Sequence, residues 1–241
     1  MICAIVLAAG FSRRMGTQKL LLPLAGKPVI AHVVDAVLCS QADQVFVVTG
    51  VDGERIANAL SEGRRWSAAR ASSPASAGRV SLPARAVNFI GNPHPELGML
   101  GSIRCGLSAM PAGCAAALVV LGDQPTISAG VINRLIQSFR EDGYGIVVPV
   151  WEGRRGHPLL LSTRYRDEML ARYDDVGLRA LLSAHPSDIC EVPMNDAGIL
   201  EDLDQPHDYQ RLVARFSRSE GPGTETEKRM VKRWRGKTIF I

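Results

Sequence analysis

No unbroken run of about 18 apolar residues occurs in this sequence, so no helix of it is long and apolar enough to cross a bilayer. The N-terminal stretch MICAIVLAAG lacks the basic flank and small-residue cleavage site of a secretory leader. It reads instead as a first buried strand. Cysteine is sparse. Cys3, Cys39, Cys105, Cys114 and Cys190 are odd in number, widely spaced and without a CxxC pair, which argues against a disulfide framework or a zinc cage. They are expected to be small buried hydrophobes in a reducing, cytoplasmic setting. His32, His94, His185 and His207 show no zinc-ligand spacing. Neither GxGxxG nor GxxxxGK[ST] is present, so the common dinucleotide and P-loop arrangements do not apply. A basic field is also missing. Residues 217–241 carry seven Lys/Arg and three Glu, which accounts for the whole net charge of +4. Residues 1–216 are balanced, which argues against a nucleic-acid partner. No internal repeat is present.

What is there is an ordinary globular composition, 46% hydrophobic and 22% charged over 241 residues, enough for one sizeable core. ICAIVLA (2–8), QVFVVTG (44–50) and AAALVVLGD (115–123) are continuous apolar runs ended by glycine, as in strands buried on both faces. After Pro28, the residues Val29, Ile30, Val33, Val34, Val37 and Leu38 recur at helical spacing. Thr126 or Ser128 is placed to cap a helix over VINRLIQSFRE. Residues 145–162 read as two strands joined by a turn at Glu152 to Arg155, and helices are expected near 163–172 and 176–184. Alternating strands and helices predict a three-layer α/β/α sandwich around a mostly parallel sheet, with ligand loops at the carboxyl ends of the strands. Two segments depart from this pattern. Residues 62–86 hold five Arg among many Ser, Ala and Pro, and read as a surface insertion. The domain is expected to span 1–216, and 217–241 reads as a basic, poorly ordered tail.

Four places carry chemistry. The first is Leu7-Ala8-Ala9-Gly10-Phe11-Ser12-Arg13-Arg14-Met15-Gly16-Thr17-Gln18-Lys19, directly after a strand. Small residues let a ligand approach the backbone, free N–H groups form an anion cradle, and Arg14 and Lys19 supply fixed positive charge for phosphates. The second is Asp123, a hard oxygen ligand at a strand end before Pro125, suited to Mg²⁺. The third is Asp202-Leu203-Asp204, whose alternation puts both carboxylates on one side. The fourth is Arg154-Arg155-Gly156-His157-Pro158, two arginines before a glycine turn with a histidine able to titrate near neutrality. The glycine-opened helix GMLGSIRCGL, with Gly98, Gly101, Ser102 and Arg104, adds a helix N-terminus.

The pattern LAAGxSxRMGxxK followed by GKPV resembles the signature of the MobA-like nucleotidyltransferases, and among them most of all the molybdenum cofactor cytidylyltransferases. GMLGSIRCGL, VLGDQP, RRGHPLLLS, DVGLRALL and DLDQPHDY resemble further blocks of that family in the same order, over roughly residues 1–212. The resemblance implies a Rossmann-like fold of the nucleotide-diphospho-sugar transferase type. It implies Mg²⁺-dependent transfer of CMP from CTP to the phosphate of molybdopterin, because LAAG goes with cytidylyl and LAGG with guanylyl transfer. Lys19, Arg14 and Asp123 are then catalytic. Leu7, Ala8, Ala9, Gly10, Arg14, Lys19, Gly101 and Ser102 bind the nucleotide. Arg155, Gly156, His157 and Pro158 bind the second substrate. Asp123 and Asp204 hold the metal, with Asp204 favoured over Asp202 for its place beside the turn. Expected partners are molybdoenzymes of the xanthine dehydrogenase or CO dehydrogenase type, or their insertion chaperones. A GTP-dependent transferase, a transferase with another phosphorylated acceptor, and a non-catalytic cofactor carrier are the alternatives. Gln205 and His207 depart from the family's usual DIDTPED form.

Overall fold

β1 (Ile2–Ala8) shows why this sequence makes a buried sheet: six of its seven residues are buried and Leu7 is half-buried. Ile2, Ala4, Val6 and Ala8 enter one core layer, while Cys3 and Ile5 enter the layer on the opposite face, as the period of two requires. A computed structural model describes residues 1–61, 86–174, 176–220 and 224–235. In chain order they form β1, the small hairpin β2 (Pro23–Leu24) and β3 (Lys27–Pro28), α1 (Val29–Leu38), β4 (Gln44–Thr49), α2 (53–61), β5 (Val87–Gly91), α3 (Gly98–Ala109) and β6 (Ala116–Leu121). There follow α4 (Ala129–Asp142), β7 (Ile146–Trp151), β8 (Arg154–Arg155), β9 (Leu159–Ser162), α5 (Arg166–Ala171), α6 (Leu178–Ala184), β10 (Ile189–Pro193), α7 (Pro206–Glu220) and α8 (Glu225–Arg235). The insertion expected at 62–86 falls almost wholly outside the described residues.

The main sheet runs β10-β7-β9-β6-β1-β4-β5, with β8 added to β7. β1 pairs in parallel with β4 on one side and β6 on the other. The chain therefore leaves β1 toward β4 and β5 and returns to β6 on the far side. That reversal opens a crevice at the carboxyl ends of β1 and β6. The expected mostly parallel α/β/α architecture is present, and β9 is antiparallel to both β6 and β7. α1 and α4 cover one face; α3, α5 and α6 cover the other. Ser128 is the cap of α4, accepting a hydrogen bond from the Val131 N–H at 3.3 Å. Two glycines are dictated by close approach. A Cβ on Gly106 would lie 2.4 Å from Ile5 Cγ2, and one on Gly122 would lie 2.6 Å from the Leu7 carbonyl oxygen.

A third core ties the hairpin to the C-terminal helices. Met15, Leu22, Leu24, Val29, Leu203, Tyr209 and Leu212 are buried together, with Phe216, Met230 and Val231 packed against them. The tail expected to lack order thus contains a docked helix, α8. Its start is a capping box: the Thr224 hydroxyl accepts the Glu227 N–H at 3.3 Å, and Glu227 accepts the Thr224 N–H at 2.7 Å. Glu227 is 1% exposed and also accepts the Gly26 N–H at 3.2 Å.

Candidate active site

The loop after β1 and the turn after β6 meet in a cleft of about 270 Å³. It is lined by Leu7, Ala9, Gly10, Phe11, Lys19, Leu20, Pro95, Gly98, Met99, Ser102, Leu121 and Asp123. The loop closes through two short 3₁₀ turns, Arg13–Met15 and Lys19–Leu21. Ser12 (φ 51°) and Gly16 (φ 62°) take the left-handed conformation around the first. Met15 is buried in the third core and anchors the loop from below. The N-terminus of α3 enters from the other side without a side-chain cap; the Gly98 N–H is taken by the Pro95 carbonyl, and Gly98 and Met99 bring the positive end of the helix to the cleft. Ser102 is buried there and accepts a hydrogen bond from Asn92 Nδ2 at 3.0 Å.

Lys19 is the centre of the charge arrangement. Its Nζ lies 2.5 Å from Asp123 Oδ2 and 2.9 Å from Asp204 Oδ1. Arg14 reaches the other oxygen of Asp204 at 3.2 Å. Burial acts to lower the Lys19 pKa, but Asp123 and then Asp204 overcome it and hold the group above its ordinary value. Asp202 is separate. It accepts Gln124 Nε2 at 2.6 Å, and its carboxyl is raised by burial and then by the Asp123 charge, against that hydrogen bond. Leu203, fully buried between the two aspartates, fixes the segment. The Leu203 N–H also bonds the Asp123 carbonyl at 3.1 Å, stitching the two acidic turns together.

The residues 156–158 join through a carbonyl. The His157 N–H donates to the Ile199 oxygen at 2.9 Å, and Gln124 Nε2 donates to the same atom at 3.3 Å. Gly156 is required there, because its Cβ would lie 2.3 Å from that oxygen. Burial pushes the His157 pKa down, opposed by the Asp123 charge. Pro158 is buried beside it.

Of the residues singled out from sequence, Leu7, Ala9, Gly10, Lys19, Gly98, Ser102 and Asp123 line the cleft; Asp204 joins through Lys19, and Arg14 through Asp204. Ala8 ends β1 inside the first core layer. Gly101 serves packing, since its Cβ would lie 3.0 Å from Leu97 Cβ. Arg155 is ion-paired with Glu191 at 2.7 Å. Arg104 holds α5 to α3, bonding the carbonyls of Met169 (2.8 Å) and Arg172 (2.6 Å) and the Asp174 carboxylate. Phe11, Leu20, Pro95, Met99 and Leu121 also line the cleft, and no sequence pattern marks them for it, because apolar side chains read as core.

A switch-point cleft with a basic glycine loop, a helix N-terminus and paired carboxylates defines a nucleotide-handling α/β enzyme. The chain belongs to the MobA-like NTP transferase domain family, which matches residues 4–189, and it is a nucleotidyltransferase. It is 27% identical over 219 residues to the molybdenum cofactor cytidylyltransferase of Escherichia coli, covering 88% of this chain and 96% of that protein. A nucleotidyl transferase structure from Methanothermobacter superposes with a TM-score of 0.72 at 26% identity, covering 91% of this chain and 99% of that one. A Mycobacterium tuberculosis structure in complex with manganese shares the fold, with a TM-score of 0.66 at 22% identity over 88% of this chain and 98% of that one. The chain is also 32% identical over 201 residues, 77% of its length, to a bifunctional GlmU protein of Sinorhizobium fredii and spans 40% of that longer protein.

Proposed function

We propose that this nucleotidyltransferase moves CMP from CTP to the phosphate of molybdopterin, giving molybdopterin cytosine dinucleotide and pyrophosphate. The observation that carries the reading is the convergence of Lys19, Asp123 and Asp204 at the cleft beneath the Ala9–Gly10 loop. Similarity to the E. coli cytidylyltransferase over nearly its whole length supports the choice of substrates.

The donor set fits Mg²⁺. Two carboxylate oxygens from separate turns already converge on one cationic point, and they are hard ligands. This suits an ion that takes its remaining ligands from water and phosphate. Asp123 and Asp204 would hold it, and when bound it supplies charge neutralisation for the triphosphate. The rest is done by this chain's own groups. Backbone N–H groups of the Gly10 loop and the first turn of α3 cradle the phosphates. Lys19 and Arg14 offset charge on the departing pyrophosphate. Ala9 adds a methyl group to the floor of the base pocket, which suits a pyrimidine. Gly156, His157 and Pro158 present the acceptor from the acidic side, where the phosphate is already ionised and needs no strong base. The catalytic gain is positioning plus electrostatics, with no covalent enzyme intermediate. The product would pass to a molybdoenzyme of the xanthine dehydrogenase or CO dehydrogenase type, or its chaperone, in the cytoplasm.

The test is product identity. Incubation of CTP and GTP together with Mg²⁺ and molybdenum-loaded molybdopterin is expected to give the cytosine dinucleotide by mass spectrometry. Formation of a guanine dinucleotide alone, from GTP, would replace the base assignment.

A further inference from the structure

Asp52 stands just beyond β4 and is not among the cleft-lining residues, yet it is wired to them. Its Oδ1 accepts Arg55 Nη1 at 2.7 Å, and its Oδ2 accepts Gln18 Nε2 at 2.9 Å. Gln18 Oε1 faces the opposite way. It accepts the Ser12 hydroxyl at 2.9 Å and the Leu20 N–H at 3.4 Å. With its proton committed to Gln18, the Ser12 oxygen turns a lone pair to the Lys19 N–H at 3.1 Å. The result is an unbroken relay from a carboxylate in the turn after β4 to the backbone of Lys19.

The relay has one polarity, and Asp52 sets it. A free glutamine amide could present either its oxygen or its NH₂ group to Ser12. A carboxylate only accepts, so it draws the NH₂ group and leaves the oxygen for Ser12. Ser12 in turn can accept from Lys19 only because it donates to Gln18. This matters because Ser12 is a non-glycine residue at φ 51°, a conformation the loop must hold by external bonds. The Gln18 bond, and then Arg55, keep the Asp52 carboxyl below its usual range, so it stays a pure acceptor.

We propose that Asp52 and Gln18 are positioning residues for nucleotidyl transfer: through Ser12 they fix the loop so that the Lys19 ammonium sits between Asp123 and Asp204. The proposal rests on Lys19 meeting the nucleotide phosphates as set out above. It adds the end of β4 to a site otherwise built from β1 and β6.

The test combines Gln18→Leu, Asp52→Leu, the double variant and Asp52→Asn. Each is followed by hydrogen exchange over residues 12–20 and by kcat and KM for Mg²⁺–CTP with molybdopterin. Gln18→Leu and Asp52→Leu are each expected to speed exchange at Lys19 and Leu20 and to lower kcat by about tenfold, since sub-ångström misplacement is costly. Acceptor KM should stay unchanged. The double variant should lose no more than the worse single variant, because both cut one relay. Asp52→Asn, whose single acceptor oxygen must serve either Gln18 or Arg55 and which no longer dictates the direction of the relay, should also lose rate, though less than Asp52→Leu. Multiplicative losses in the double variant, or wild-type exchange at 12–20 in Asp52→Leu, would overturn the proposal. Exchange does not depend on the substrates. If wild-type protein proved inert toward CTP, faster exchange in the two leucine variants would still support the relay, and unchanged exchange would still refute it.

Discussion

Lys19 and Asp123, 104 residues apart in sequence, place a half-buried ammonium and a half-buried carboxylate 2.5 Å from each other across the switch point of the sheet. One comes from the loop after β1 and the other from the turn after β6, so the pair exists only because those strands are parallel neighbours. Asp204 completes the arrangement from a third segment. Each member has a separable role.

Asp123→Asn should keep the fold and remove most metal-dependent turnover. Loss of one of the two carboxylates proposed to hold the metal is expected to lower kcat at least about 100-fold and to weaken Mn²⁺ binding by ~10-fold or more. Turnover assays and a Mn²⁺ titration followed by electron paramagnetic resonance check both. Wild-type activity in a folded variant would remove Asp123 from the mechanism.

Lys19→Met should behave differently. Turnover should fall by about 100-fold or more, as for other groups that stabilise developing negative charge. Mn²⁺ binding should persist or tighten, because the two carboxylates no longer share the ammonium. Parallel loss of metal binding in Lys19→Met and Asp123→Asn would show that Lys19 serves only to hold the acidic turns in place.

His32 gives the fold a pH dependence distinct from catalysis. Burial, and then the Lys27 charge, push its pKa down to about 4, against a hydrogen bond to the Leu24 carbonyl at 2.7 Å. The unfolded chain therefore binds a proton that the folded chain refuses between pH 6.5 and 4. Stability is fully present above pH 6.5 and falls through that window, by about 3 kcal/mol in total. Denaturant titrations of wild type and His32→Gln should show the slope in wild type and a shallower one in the variant.

Glu227 tests the docking of α8. Glu227→Ala removes the acceptor for the Thr224 and Gly26 N–H groups and should cost about 1–2 kcal/mol. For a chain of this length that is a fall of roughly 2–8 °C in Tm. Glu227→Gln, which keeps an oxygen, should lose less. An unchanged Tm by calorimetry in Glu227→Ala would mean that α8 adds nothing to the fold.

The strands and most helices were legible because burial on both faces writes continuous apolar runs at β1, β4 and β6. The cleft was legible because Gly10 and Asp123 closely follow such runs and Lys19 closes the loop that Gly10 opens. α8 was not, although Thr224-x-x-Glu227 and the Met230–Val231 pair carried a cap and an apolar face. Basic residues at Lys228, Arg229 and Lys232 outweighed that signal. The commitment of Arg104 and Arg155 to carbonyls and to Glu191 depends on distant segments, and no local spacing encodes it. The same holds for Asp52, whose partner Gln18 lies 34 residues away.

The most direct measurement is pyrophosphate release with molybdenum-loaded molybdopterin and Mg²⁺, comparing CTP, GTP, ATP and UTP. Strong preference for CTP is the expected result and would tie the base choice to the Leu7–Gly10 loop. Preference for GTP would keep the metal site and overturn the base assignment. Release with none of the four would contradict the transfer reaction itself.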